Sequence, residues 1–159
     1  MNVPAFRRAA TAAASACVVA IGIMTAPEAA AAPDTAPAQG CYHRDGYPPG
    51  GGRNIGGSPP KYKWDHTPYV GARYVSCGRT VTLYYGGYTT HTTHYNVRWT
   101  QPGSHGWKQG ELRAGARMKW EMPAGYGDYN FMVQACNRGG FGQRSNCTNW
   151  SPQLYLNAR

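Results

Sequence analysis

The chain has 159 residues, and its 16 Lys+Arg against 7 Asp+Glu give a formal net charge of +9. That length leaves room for one domain with its own core once a leader is set aside. Carboxylates this few and this scattered argue against the paired acids of glycoside hydrolysis, while the basic balance points to anionic partners such as nucleic acid, cell-wall polymers or acidic proteins.

In chain order, residues 1–31 read as a secretory signal peptide. Arg7 and Arg8 supply the basic start, Ala9 to Met24 the apolar stretch and Ala29-Ala30-Ala31-Ala32 the small-residue cleavage region. Cleavage is expected after Ala30 or Ala31, because Pro33 would be a poor first residue. Arg7-Arg8 fits a general secretory leader better than the twin-arginine route, since the following residues do not match that signal. Cys17 precedes the most apolar residues, which argues against lipid anchoring. No later run is long or apolar enough to insert in a membrane. The remainder, about 128 residues, carries 14 basic and 6 acidic side chains once Arg7, Arg8 and Glu28 are removed, a net of +8.

Residues 32–61 read as a linker and loop-rich arm. Pro33 to Gly40 is rich in Ala and Pro, and Tyr47 to Pro60 is dominated by Pro, Gly and Asn without an apolar period. The folded module, residues 62–159, is expected to begin near Tyr62. Beyond it, Tyr69 to Val75, Thr80 to Tyr85, Tyr95 to Trp99, Arg117 to Met122, Tyr129 to Ala135 and Leu154 to Leu156 read as short strands divided by turn signals. An all-β sandwich follows from that spacing. Parity puts Val81, Leu83 and Tyr85 on one face, with Tyr95, Val97 and Trp99; Met118, Trp120 and Met122; and Tyr129, Phe131, Val133 and Ala135 doing the same on their strands.

Four of the five cysteines follow the leader, an even number that suits two disulfides in an exported protein. Of the three possible pairings, Cys136 with Cys147 is preferred because the two flank one hairpin, which leaves Cys41 with Cys77. A zinc site is the competing reading, but no close cysteine pair occurs.

The stretch Tyr129-Asn130-Phe131-Met132-Val133-Gln134-Ala135-Cys136-Asn137-Arg138-Gly139-Gly140, followed by Cys147-Thr148-Asn149-Trp150-Ser151-Pro152, resembles the last two strands of a bacterial, disulfide-bonded fibronectin type III domain. The resemblance runs from roughly Tyr62 to Ala158. It implies an immunoglobulin-like β-sandwich in which Tyr129 takes the tyrosine-corner position, its hydroxyl bonded to backbone between Trp120 and Tyr126. The chain departs from the family in having Met122 seven residues before that tyrosine, where a Leu six before is common. It departs again in having Tyr85 where the second strand usually carries Trp.

No catalytic residue, cofactor or metal ligand is expected. No glycine-flanked serine elbow is present. His91 and His94 sit in Thr89-Thr90-His91-Thr92-Thr93-His94, a segment too rich in Thr to be helical, and with His66 or His105 they read better as loop histidines than as a zinc set. Asn146 and Asn149 match a glycosylation pattern that matters only in a eukaryotic secretory route.

Binding chemistry is the remaining signal. The 12 Tyr and 5 Trp exceed what one core of this size consumes, so Tyr84, Tyr88, Trp107, Tyr126 and Tyr155 are expected on wet faces or turns. Arg98 and Lys119 lie opposite in parity to Val97 and Trp120. Tyr84, Tyr88, Arg98, Trp107, Lys119 and Tyr126 are therefore the candidate ligand-binding residues, while Trp150 is expected to stack with Arg138 or Arg144. The expected function is that of a secreted, extracellular, monomeric and noncatalytic module that binds polysaccharide or an anionic cell-surface polymer. The alternative is a protein-binding effector, such as an enzyme inhibitor acting through its loops.

Overall fold

Strand residues here alternate between water and apolar neighbours, and the computed structural model, which describes residues 40–88, 91–142 and 144–159, follows that alternation closely. The leader, nearly all of the Ala/Pro linker and Thr89-Thr90 lie outside the described residues. The strands are β1 (His43–Asp45), β2 (Arg53–Gly56), β3 (Lys61–Lys63), β4 (Tyr69–Val75), β5 (Thr80–Gly86), β6 (His94–Thr100), β7 (Lys108–Arg113), β8 (Arg117–Pro123), β9 (Gly127–Asn137), β10 (Asn146–Cys147) and β11 (Leu154–Ala158). Among the described residues there is no helix.

Two antiparallel sheets result. The first runs β2-β3-β4-β5-β8, with β1 also on β4; the second runs β10-β9-β6-β7, with β11 also on β9. The inner faces share one apolar layer that includes Val70, Val81, Leu83, Tyr85, Tyr95, Val97, Tyr129, Phe131 and Val133, in the parity read from the sequence. Met118, Trp120 and Trp99 are only half-buried. Met118 and Trp120 lie on β8, which ends its sheet, and Trp99 meets Trp120 edge-on at 5.0 Å where the apolar layer reaches solvent.

Phenol hydroxyls fix the turns. Tyr85 donates to the Arg113 carbonyl at 3.2 Å and Tyr69 to the Ala116 carbonyl at 3.2 Å. Tyr95 donates to the Tyr88 carbonyl at 2.6 Å, with the Gly115 carbonyl 3.2 Å away. The β7–β8 turn is thus gripped from both sheets. Tyr129, 1% exposed, accepts from the Gly125 N–H at 2.7 Å and faces the Gly125 carbonyl at 3.3 Å, inside the window expected for it.

The arm differs from its reading as loop. Within residues 40–63 lie β1, which pairs with β4 from His43↔Val75 to Asp45↔Arg73, and the β2–β3 ribbon, which joins β4 through Tyr62↔Val70. These strands have three or four residues, and β2 is bulged between Asn54 and Gly56, so no alternation could accumulate in the sequence. Tyr47 exchanges two 2.9 Å backbone bonds with Tyr155 of β11, tying the arm to the second sheet. Disulfides join Cys41 to Cys77 and Cys136 to Cys147, the pairing expected. The first anchors the arm to the β4–β5 turn.

Candidate functional site

The outer face of the first sheet is built from residues that alternate away from the core. On β8 these are Arg117 and Lys119; on β5, Tyr84 and Gly86; on β4, Tyr69, Gly71 and Arg73. Register sets them in rows. Lys119 pairs with Tyr84, which pairs with Gly71; Arg117 pairs with Gly86, which pairs with Tyr69. Gly71 keeps its place because a Cβ there would lie 2.6 Å from the Pro60 carbonyl oxygen and 3.1 Å from Lys61 Cγ. Without a side chain at Gly71, the β2–β3 ribbon settles against β4 and Lys61 swings over the face.

Lys61, Lys119, Arg117, Tyr84, Tyr69 and Ile55 line a groove of about 570 Å³ on this face. Lys61 Nζ lies 5.6 Å from the centre of the Tyr84 ring, and Lys63 Nζ 5.5 Å from that of Tyr88. Such contacts hold long cationic side chains along the surface, and each contributes about 0.5–1 kcal/mol at an exposed site. Arg53 pairs with Lys63 across the ribbon and extends the basic row to the edge of the sheet. From β2 to β8 is four strand spacings, roughly 19 Å.

Three acids lie among these cations, and Asp65 lines a neighbouring groove with Arg53 and Lys63. Asp45 is held by Arg73 through contacts at 2.6 and 2.9 Å, and Glu121 by Lys119 at 2.8 Å. That bond raises the Lys119 pKa, and Arg73 is raised likewise, chiefly by its hydrogen bond to Asp45. Burial pushes the Tyr69 phenol up, partly opposed by the neighbouring Arg117. The tyrosine is therefore a neutral donor and apolar wall, and the bonds to Glu121 and Asp45 favour the charged forms of Lys119 and Arg73.

The expected ligand residues separate into groups. Tyr84 and Lys119 come together in the groove just described. Arg98 and Trp107 lie on the opposite sheet, where they line a smaller groove of about 260 Å³. Tyr88 is half-buried at the end of β5, under Lys63. Tyr126, 70% exposed, is in the β8–β9 turn at the other end of the strands. Tyr155 donates to Asp128 at 2.7 Å and packs edge-on against Tyr47. Trp150 stacks on Arg98, whose guanidinium carbon is 4.6 Å from the ring centre, rather than on Arg138 or Arg144. Arg138 instead bonds Glu111, whose pKa is lowered by that contact. Trp150 reaches Arg98 because both rise on the outer face of the second sheet.

Lys61, Arg117 and Tyr69 were not singled out from the sequence. The alternations Lys61-Tyr62-Lys63 and Arg117-Met118-Lys119 already place each basic pair on one face; what the sequence lacks is the pairing that sets β3 and β8 on the same sheet. Among the described residues no group of three His, Cys, Asp or Glu side chains converges as a metal site would require. His94, on β6, lies 3.8 Å from Glu111, and His66 and His91 line a separate groove beside the Cys136–Cys147 hairpin. Compared with protein-family profiles, curated proteins and solved structures, the chain matches none.

Proposed function

We propose that this chain is an exported, noncatalytic module of fibronectin type III-like architecture that binds an anionic polymer, most directly an acidic cell-surface polysaccharide, across the outer face of β2-β3-β4-β5-β8. The fold assignment is supported by the order β4-β5-β8 facing β11-β9-β6-β7 and by the Tyr129 hydroxyl on the Gly125 backbone. Two disulfides suit an oxidising, extracellular setting. The observation that carries the function is the placement of Arg53, Lys61, Lys63, Arg117 and Lys119 on adjoining rows beside the Tyr84 and Tyr69 rings. A linear polyanion lying across the strands meets a cation at both ends of the groove and an aromatic wall between them. Counterion release then makes binding salt-dependent.

The test is retention of the chain on immobilised acidic and neutral polysaccharides as salt rises. Changing Lys61 and Lys119 together to Gln should weaken retention on the acidic polymer at least tenfold and flatten its salt dependence, whereas Arg138→Gln should not. Equal retention of both variants, or none by any acidic polymer at low salt, defeats the reading.

One observation favours the effector alternative. Phe141 is fully exposed in the Gly-rich turn closed by Cys136–Cys147, and the stem of that turn is ordered by the Arg138 N–H donating to the Thr93 hydroxyl and the Ser145 hydroxyl donating to the Arg138 carbonyl. A protein partner with an apolar pocket would take this side chain, and Phe141→Ala would then abolish binding that the lysine changes leave intact.

A further inference from the structure

The outer face of the second sheet has a different chemistry from the first. Register places Asn96 between Glu111 and Gln134, Arg98 between Gln109 and Met132, and Thr100 beside Asn130. The face is therefore largely one of amides, and its carboxylates are compensated on the spot: Glu111 bonds Arg138, and Asp128 lies 3.4 Å from Arg159 while accepting from Tyr155 and Asn157.

The amides are held in place. Gln109 accepts from Arg98 Nε at 2.9 Å, and Gln134 donates to the Thr148 carbonyl at 2.7 Å. The Arg98 guanidinium is itself held over the Trp150 ring, its carbon 4.6 Å from the ring centre. Using one half of a planar amide fixes its plane and leaves the other half oriented without further loss of rotamer freedom. Beside this array Trp107, 45% exposed, joins Met132, Arg98, Gln109 and Lys108 around the groove of about 260 Å³. An aromatic platform next to pre-oriented amide and guanidinium donors and acceptors matches the two sides of a pyranose ring. C–H groups lie on the apolar surface, and paired hydroxyls meet the planar polar groups.

We propose that this face is a second binding site, for a neutral glycan, with a sugar ring on Trp107 and its hydroxyls bonded to Gln109 and Arg98. It is independent of the polyanion site on the opposite sheet. A chain carrying both would bridge an acidic polymer to a neutral one, each face contributing its own affinity.

The experiment uses the full chain on insoluble cellulose and chitin at high salt, where the screened cationic face contributes little. Wild-type protein should be retained on at least one, with competition by cellohexaose or chitohexaose respectively. Trp107→Ala should reduce retention at least tenfold, Trp107→Phe should recover part of it, and Gln109→Ala should also weaken it. The Lys61→Gln/Lys119→Gln variant should bind the neutral polymer as wild type does while failing on the acidic one. Trp107 is 45% exposed and partly packed, so the control for fold is function on the other sheet: Trp107→Ala should still bind the acidic polymer at low salt, which separates lost recognition from lost fold. No retention of the wild type on either neutral polymer, or retention indifferent to Trp107→Ala, overturns the proposal and leaves the polyanion reading to be decided by its own low-salt test.

Discussion

Tyr129 shows how a single hydroxyl organises this fold. Its ring is packed in the apolar layer and its oxygen meets both backbone groups of Gly125, so the β8–β9 crossover is pinned to the strand that follows it. Replacing Tyr129 with Phe keeps the ring and orphans the Gly125 N–H. The expected cost is about 1–2 kcal/mol, read as a lower urea midpoint with an unchanged slope; an unchanged midpoint would count against this role. The burial of the ring was legible because Tyr129 falls in phase with Phe131 and Val133 on a long alternating strand, whereas the backbone bond of its hydroxyl was expected only from the resemblance. Partners on separate strands were not legible in that way. Parity alone set Arg98 and Lys119 on wet faces, and it was right, but the two lie on opposite sides of the molecule because β6 and β8 belong to different sheets. The same ignorance of pairing gave Trp150 the wrong arginine. Arg138 and Arg144 are near in sequence, whereas Arg98 is brought alongside by the β6–β9 ladder.

At the scale of elements, apolar alternation made a strand legible rather than length: five-residue β11 was read, whereas six-residue β7, whose one large apolar side chain is Leu112, was missed. β5, β6, β8 and β9 repeat the period often enough to be read, and their inner residues form the core as expected. β1, β2 and β3 have too few residues for any period and are edge additions, held by the finished β4 and by a disulfide. This dependence gives a prediction about the two staples. Cys41–Cys77 closes a separation of 36 residues and Cys136–Cys147 one of 11. Chain entropy then assigns about 4 kcal/mol to the first and about 3 kcal/mol to the second. Cys41→Ala with Cys77→Ala should therefore lower stability more than the hairpin pair. It should also expose the arm to protease and reduce polyanion affinity, since Lys61 and Lys63 ride on the β2–β3 ribbon. Intact binding with a freely cleaved arm would show that the ribbon does not carry the site.

For the whole molecule, charge and burial divide the response to pH. Burial raises the phenol pKa values of Tyr69, Tyr85, Tyr95 and Tyr129 above the ordinary 10.0. A raised acid binds its proton more tightly folded than unfolded, so the stabilisation from these groups is complete below pH 10 and is lost as pH climbs through their folded values. On the acid side Glu111 is lowered by Arg138, and its contribution is present above the ordinary carboxylate range and lost as pH falls through the folded value. That pair is exposed and screened, so its effect is small. The thermal midpoint should thus stay nearly level from about pH 6 to 9 and fall steeply above about 10. The part of the tyrosinate absorbance that comes from Tyr69, Tyr85 and Tyr95 should rise with unfolding rather than ahead of it, because these three cannot ionise without releasing the β7–β8 turn that they hold, and Arg117 with it. Polyanion binding should fall as the turn gives way, because Arg117 moves with it. Full tyrosinate titration near 10 with the fold intact would show that these hydroxyls do not hold the two sheets together.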